Sequence, residues 1–142
     1  MGITIRCKKT HTSHDLGCLG FLNLREKVAE LCSPEFGEHY KTLFYIFAVG
    51  ADKTKFYKEF DKKTVELLER KVVSVKVVDF CLQPDCAGKI RYGACKEIYK
   101  HIKDYDDNVC YGYSGRQDCM MFKDFIELVK ECYDNKSDLV WD

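Results

Sequence analysis

The residue types best suited to holding a small ligand lie together at residues 111–116, which read Tyr-Gly-Tyr-Ser-Gly-Arg. If this stretch is a strand, its alternation places the rings of Tyr111 and Tyr113 on one side. Two glycines leave the backbone bare, and Arg116 stands just before a predicted helix. Flat rings, free N–H groups and a guanidinium are what a nucleotide-like molecule needs for its base and phosphate. The alternative is a turn whose tyrosines pack in the core and whose arginine lies at the surface.

A second candidate is the polar loop over residues 13–20, which leads into a predicted helix carrying Arg25. A glycine-bearing loop before a helix N-terminus can offer backbone N–H groups to an anion. Asp15 and Arg25 are therefore predicted ligand contacts. The alternative is a loop whose Ser13 and Asp15 bond locally to the backbone. The spacing of the glycines matches neither a dinucleotide-binding fingerprint nor a Walker motif.

The third candidate is the turn over residues 83–93, which presents Lys89 and Arg91. Its Gly88 resembles the central glycine of a calcium-binding loop, but that alignment lacks the bidentate glutamate and two other ligands, which excludes calcium. Lys89 and Arg91 remain as predicted phosphate contacts. The alternative is a solvated basic turn.

The sequence carries no nucleophile motif, and its four histidines have no evident cysteine or serine partner. We therefore predict a protein that is not an enzyme, with no catalytic residue, no cofactor and no bound metal. Two other arrangements are conceivable. A divalent ion would use the acidic residues Asp85, Asp104, Asp106 and Asp107. A zinc ion would use Cys81, Cys86, Cys95 and His101, although their spacing matches no zinc motif.

The candidate sites depend on elements whose patterns predict an α+β fold, a small and mainly antiparallel sheet with four to five helices. Strands are predicted over residues 2–9 and 108–113, and residues 139–141 as a strand or a packed tail. Helices are predicted from residue 21, over 34–50, 52–70 and 94–103, and after Asp118 as the cap of the last one. Residues 72–82 fit either a strand or a helix, because five valines favour a strand and the spacing also fits a helical turn.

Composition limits the class of protein. A length of 142 residues is that of a single domain, residues 1–142, and 46% apolar residues exclude disorder. Lysines and arginines equal aspartates and glutamates at 23 each, so net charge attracts neither a long nucleic acid nor an anionic membrane. Nine cysteines without a Cys-x-x-Cys pair, and no signal peptide, predict reduced thiols in a cytoplasm.

Four segments, residues 1–5, 15–25, 85–92 and 111–116, resemble small proteins encoded by phages and prophages of Gram-positive bacteria. Phage proteins of this size include sponges that sequester nucleotide immune signals, such as cyclic ADP-ribose-type molecules. The resemblance implies the cytoplasm of a bacterial host and an anti-defence role. It assigns no residue a function.

Two functions are compatible with these observations. The first is a non-enzymatic binder that sequesters a small phosphorylated nucleotide-like molecule, a cyclic nucleotide or an ADP-ribose derivative. The second is a protein-binding inhibitor of a host nuclease or defence effector, favoured by the Lys/Glu-rich helix over residues 53–71. The many aromatic residues also predict a homodimer, with residues 139–141 or the second helix in the interface.

Overall fold

The computed structural model describes residues 2–49, 52–113 and 119–142, and for residues 45–49 it describes the backbone only. Its strands are β1 (Gly2–Cys7), β2 (Ser13–Gly17), β3 (Gly88–Ile90) and β4 (Leu139–Trp141). Its helices are α1 (Cys18–Cys32), α2 (Pro34–Val49), α3 (Lys53–Glu69), α4 (Val75–Leu82), α5 (Tyr92–Ile102) and α6 (Phe122–Asp134). The predicted α+β class with a small antiparallel sheet is confirmed. The described residues form six helices, more than the four to five predicted.

The four strands form one antiparallel sheet in the order β2-β1-β4-β3. In β1, Ile3, Ile5 and Cys7 are buried and alternate with half-buried polar residues, as the sequence pattern predicts. β4 lies between β1 and β3, and Leu139 and Trp141 are buried within the protomer. These two side chains are therefore unavailable for the predicted dimer interface.

The helices cover the buried face of the sheet, and one aromatic cluster joins the two layers. The ring of Trp141 from β4 packs edge-on against Phe21 of α1 and Phe80 of α4, with 5.6 Å between ring centroids in each pair. Phe80 also stacks on Phe125 of α6 at 5.9 Å. Because aromatic side chains bury large apolar areas, these contacts fix α1, α4 and α6 on the sheet.

Two of the predicted helix starts are confirmed. Ser33 precedes Pro34, the first residue of α2, and its hydroxyl accepts a hydrogen bond from the Phe36 N–H at 3.2 Å. Asp52 caps α3 by accepting from the N–H groups of Thr54 and Lys55.

The start of α6 is different from the prediction. Its cap is Met121, whose N–H donates to the Asp124 carboxylate at 2.8 Å. The prediction that Asp118 caps this helix is therefore wrong, and Asp118 itself lies outside the described residues.

Two other segments differ from their predictions, and the structure decides a third that the sequence left open. Residues 13–17 are predicted as loop but form β2, an edge strand with only Leu16 buried. Residues 72–82, left open between strand and helix, contain α4, which Ser74 caps through the Lys76 N–H. Residues 108–113 form no strand; one bridge joins Cys110 to Met121.

A disulfide joins Cys110 and Cys119. The prediction that the cysteines are all reduced is therefore wrong for this pair. The seven other cysteines form no disulfide, and four of them are buried in the core. The pair holds together the two ends of the segment that contains residues 111–118.

His39 of α2 is buried against α3. Its ring stacks on Phe60 with 4.0 Å between centroids, and its Nε2 lies 2.8 Å from the Thr64 hydroxyl. The Thr64 hydroxyl donates to the Phe60 carbonyl, so it accepts from His39 Nε2–H. Burial lowers the pKa of His39 below its ordinary value.

Within the described ranges, no helix combines the length and the apolar character needed to cross a membrane.

Candidate functional site

The described part of the first candidate and the polar loop of the second candidate are in contact in the structure. The contact is direct packing of one segment on the other. Gly20, in the first turn of α1, lies so close to the Tyr111 carbonyl that an added methyl group would collide with it. A methyl group at Gly112 would lie 3.2 Å from the Asp15 carbonyl and 2.7 Å from the Met120 N. These glycines therefore permit close backbone approach between the two segments and leave no space for a ligand there.

Tyr111 is a core residue. It is 3% exposed, its hydroxyl donates to the Asp107 carboxylate at 2.7 Å, and its ring contacts Phe122 edge-on at 5.7 Å. Burial raises its pKa far above the ordinary value for tyrosine, so the hydroxyl stays protonated. A stacking role for Tyr111 does not fit this environment, and the alternative of a core tyrosine does.

The other predicted contacts of these two candidates lie in different environments. Tyr113 is half-buried, with its hydroxyl against the backbone of Gly2 and its ring beside Gly17. Asp15 is exposed on β2, where it accepts a hydrogen bond from the Thr4 hydroxyl at 2.9 Å. Arg116, the centre of the first candidate, lies outside the described residues.

Arg25 is also in the core, at 3% exposure. Its guanidinium donates to the carbonyls of Gln83 at 2.8 Å, Pro84 at 3.3 Å and Cys81 at 3.4 Å. It lies 4.2 Å from the centroid of the Phe21 ring. Arg25 therefore joins α1 to the end of α4, and the predicted ligand contact does not fit this geometry.

Lys89 and Arg91 have a different environment. Lys89 is exposed on β3, at the edge of the sheet opposite β2, and Arg91 is the exposed N-cap of α5. The buried Ile90 separates them, and the backbone at Arg91 is extended. Their side chains therefore point to the same, outer side of the chain.

Arg91 lines a surface cleft of about 400 Å³ between α4 and the start of α5. We call it the α5 cleft. It is lined by Lys76, Asp79, Arg91, Tyr92, Gly93 and Ala94. Lys76 and Asp79 are three residues apart on α4, so both face the same side of that helix. The volume lies in the range usual for small-molecule sites, about 300–1,000 Å³.

The cleft is positively charged at a helix N-terminus. The first turn of α5 contains no acidic residue, and Arg91 forms no side-chain cap. The Lys76 ammonium lies 3.6 Å from the position that a Cβ of Gly93 would occupy. The positive end of the α5 dipole therefore lies beside Lys76 and Arg91, with no carboxylate in the first turn of the helix itself. Within the described residues, neither of these two side chains forms an ion pair or hydrogen bond.

The one carboxylate of the cleft is held in place by Gln83. The Gln83 Nε2 donates to Asp79 Oδ2 at 3.0 Å and to the Lys89 carbonyl at 2.7 Å. The Gln83 Oε1 accepts from the Lys89 N–H at 3.0 Å. These three partners fix the orientation of the Gln83 amide. A flipped amide would place its oxygen against the Asp79 carboxylate and the Lys89 carbonyl, and its nitrogen against the Lys89 N–H. Gln83 therefore ties Asp79 to the edge strand β3.

A larger cavity of about 630 Å³ lies between the end of α3, the start of α4 and α5. Half of its lining residues are aliphatic, and Cys32, Glu97 and His101 are among the others. Burial raises the pKa of the Cys32 thiol to about 12, which removes it as a nucleophile at neutral pH. Across the described part of the chain, no three His, Cys, Asp or Glu side chains form a group that could hold a metal ion.

Comparisons with known proteins add nothing to this geometry. No protein-family model matches the chain, and no curated protein or solved structure matches it significantly.

Of the two basic residues predicted in this turn, Arg91 lines the cleft and Lys89 does not. The side chains of Lys76, Asp79 and Tyr92 were not predicted as part of a site. Lys76 and Asp79 lie in the segment whose structure the valines left open. The Ser74 cap indicates the helix, and a helix places both on one face. Tyr92 is 38% exposed at the first position of α5, and its exposure carried no signal in the sequence.

Proposed function

We propose that this protein binds a small phosphorylated, nucleotide-like molecule in the α5 cleft and sequesters it without turnover. The observation that carries the proposal is the pair of cations at the N-terminus of α5. Lys76 and Arg91 lie together at the positive end of a helix whose first turn has no acidic residue. The two positive charges exceed the single negative charge of Asp79 in the same lining, and a bound phosphate would neutralise the excess.

Each part of the ligand has a counterpart in the cleft. The Arg91 guanidinium offers a planar pair of N–H donors, and Lys76 a compact positive charge, to the phosphate oxygens. Gly93 lets a phosphate approach the backbone, because it has no side chain above the first turn of α5. Tyr92 is exposed at the rim, where its ring can stack on a base.

The lining contains no Cys–His or Ser–His pair, which favours binding over catalysis. The resemblance to phage-encoded proteins supplies the setting that we propose. There, removal of a nucleotide signal from the cytoplasm of a bacterial host would block a defence response.

Calorimetric titration with AMP and ADP-ribose tests the proposal. We expect Arg91→Ala to weaken binding about 10- to 100-fold, because a charge-assisted hydrogen bond contributes about 1.5–3 kcal/mol. Arg91→Lys should recover only part of the loss. The matched control is Lys62→Ala, which removes one exposed positive charge from α3 and should leave affinity unchanged. Unchanged affinity in Arg91→Ala, or no binding of either ligand to the parent protein, would refute the proposal.

One observation favours the second function, inhibition of a partner protein. An apolar groove of about 380 Å³ runs between α2 and α3, and Tyr57 on its wall is 42% exposed. A surface of this kind suits a protein partner, with a homodimer through α2 as one form of it. A Tyr57→Glu variant would then lose a host protein that the parent retains in a pull-down, while nucleotide binding would be unaffected.

A further inference from the structure

We propose that Cys7 and Cys132 form an oxidisable dithiol, which hydrogen peroxide converts into a second disulfide of this protein. The bond joins the end of β1 to α6 through the core. The inference goes beyond the proposed function, because it assigns a modification site to residues that do not line the α5 cleft.

Three of the buried cysteines form one cluster where β1, α5 and α6 meet. Cys7, Cys95 and Cys132 are each fully buried. The Cys132 thiol is in hydrogen-bonding contact with the thiols of both Cys7 and Cys95, and its Sγ lies 3.8 Å from the Asp138 carbonyl oxygen. Sulfur atoms that are already in contact need little backbone movement to be joined, which is the geometric requirement of a disulfide.

The contacts of this cluster suit oxidation. Over the ranges that the structure describes, no three His, Cys, Asp or Glu side chains are placed so that they could hold a metal ion, and this cluster is no exception. Two adjoining thiols can instead lose two electrons together and pair. The chain already pairs two cysteines in this way, Cys110 and Cys119.

Cys7 is the sulfur that reacts first, because its surroundings favour the thiolate. Burial alone would raise the pKa of Cys7. Hydrogen bonds from the side chains of Ser137 and Thr10, from the Thr10 backbone and from the Cys132 thiol outweigh burial, so the pKa lies below its ordinary value. The thiolate is the form of cysteine that attacks a peroxide.

Cys132 has the opposite character, which suits the second step. Its hydrogen bond with Cys95 and its burial hold its pKa far above the ordinary value, so it remains a thiol. Its contact with Cys7 places it beside the sulfur that the peroxide oxidises. It can therefore attack the oxidised sulfur before a second peroxide does.

The reaction balances with one molecule of hydrogen peroxide. The Cys7 thiolate attacks a peroxide oxygen, so that an S–O bond forms, the O–O bond breaks and hydroxide leaves, taking up the proton that Cys7 had lost. The Cys132 sulfur then attacks the sulfenic acid at Cys7. The S–S bond forms, the S–O bond breaks, and the second hydroxide leaves with the Cys132 proton as water. The two sulfurs lose two electrons and the peroxide gains them.

The peroxide reaches Cys7 through the turn between β1 and β2. Residues 8–12 of this turn are exposed, and Thr10 lies directly against the Cys7 sulfur. An exposed turn opens locally at a lower free-energy cost than a core strand or helix does. Hydrogen peroxide is small enough to use such an opening.

The experiment treats the full chain with hydrogen peroxide, alkylates it in denaturant and analyses its tryptic peptides without reduction by mass spectrometry. Trypsin separates Cys7, Cys95 and Cys132 into peptides 7–8, 92–96 and 131–136. We expect a cross-link between peptides 7–8 and 131–136 that is absent before treatment and is removed by dithiothreitol. The exposed thiol of Cys86 shows that the peroxide was sufficient, because it is oxidised in the same sample.

Two variants test the roles of the cluster. Cys95→Ala is the matched control, because it removes an equally buried thiol that also contacts Cys132, and it should leave the cross-link unchanged. Thr10→Val removes one hydrogen bond to the Cys7 sulfur at an exposed position and should slow cross-linking about 3-fold. Losing that bond lowers the thiolate fraction about 10-fold, and the greater nucleophilicity of the more basic sulfur restores about 3-fold of the rate.

Three results would overturn the proposal. One is a cross-link of Cys132 to Cys95 instead of Cys7. Another is the absence of any new cross-link when Cys86 is fully oxidised. The third is a rate that is unchanged or higher in Thr10→Val, which would show that the turn merely covers Cys7. Each of these results leaves nucleotide binding by the α5 cleft unaffected, so the two proposals fail independently.

Discussion

Replacing Arg25 by alanine should destabilise the fold strongly, although arginine is a residue type that usually lies at the protein surface. The Gln83 carbonyl accepts at 2.8 Å, which is the length of a full charge-assisted bond worth about 1.5–3 kcal/mol. The bonds to Pro84 and Cys81 at 3.3 and 3.4 Å are weaker. Stacking on Phe21 at 4.2 Å contributes about 0.5–2 kcal/mol.

Burial of the Arg25 guanidinium opposes the stabilisation that these contacts give. It disfavours the charged guanidinium and lowers the pKa of Arg25, so part of the gain is offset. We therefore expect a net loss of about 3 kcal/mol in the free energy of unfolding for Arg25→Ala. With an unfolding entropy of about 2.1 cal/mol/K per residue over 142 residues, this lowers Tm by about 10 °C.

The assay is thermal unfolding followed by circular dichroism, with Arg6→Ala as the matched control. Arg6 makes two hydrogen bonds to the Asp142 carboxylate, at 2.7 and 3.1 Å, but its side chain is 36% exposed. Solvent screening weakens this ion pair, so Arg6→Ala should lower Tm much less than Arg25→Ala does. If Arg25→Ala lowers Tm by no more than Arg6→Ala does, the structural role of Arg25 is refuted and the original prediction of a ligand contact regains support.

Two further predictions concern pH and redox state. His39 has a lowered pKa in the folded protein, so its stabilising contribution is complete above the unfolded value of about 6.5 and is lost as pH falls through the folded value. His39→Phe should flatten the fall of Tm between pH 7 and pH 5, and an unchanged slope would exclude His39 as its cause. Reduction of Cys110–Cys119 should lower the free energy of unfolding by about 2–3 kcal/mol, from the loop of separation 9 that it closes. A double Cys110→Ser/Cys119→Ser variant should then no longer respond to reductant, and alkylation of all nine cysteines in the untreated protein would show that the pair is not bonded.

The sequence predicted the elements whose own pattern decides their structure. β1 alternates Ile3, Ile5 and Cys7, and Ser33 followed by Pro34 is a strong local start for α2. β2 was missed because Ser-His-Asp-Leu-Gly has a single buried residue, Leu16, and its pairing with β1 supplies the rest. A strand that is stabilised mainly by pairing with its neighbour need not show a strand pattern in its own residues.

The predicted strand over residues 108–113 shows the opposite error. Tyr111 alternates with Val109 and Tyr113, which is typical of a strand. In the structure the tyrosine is buried because its ring contacts Phe122 and its hydroxyl reaches Asp107. Alternation over three residues cannot distinguish a pleated strand from a loop that packs one ring inward.

Only the part of the candidate site that lies in one local segment could be predicted from the sequence. Lys89 and Arg91 were visible as basic residues in a turn, and Arg91 lines the cleft. The other charged residues of the lining, Lys76 and Asp79, come from α4, and only the packing of α4 beside the start of α5 brings them to the cleft. Arg25 was predicted as a ligand contact because it lies on the helix that follows a glycine-bearing polar loop, and no local signal showed that three carbonyls would surround its guanidinium.

The position of β4 has a consequence for how the chain acquires its structure. Ile5 pairs with Trp141, so a central pair of the sheet joins residues separated by almost the whole length of the chain. During synthesis, β1 and β2 can form a hairpin early, but the other edge of β1 stays open until residues 139–141 have been made. Pairing over such a separation carries a large loop-closure cost and slows folding. A nascent chain therefore exposes an unpaired edge of β1 until β4 has been made, and β4 then removes a site where aggregation can begin.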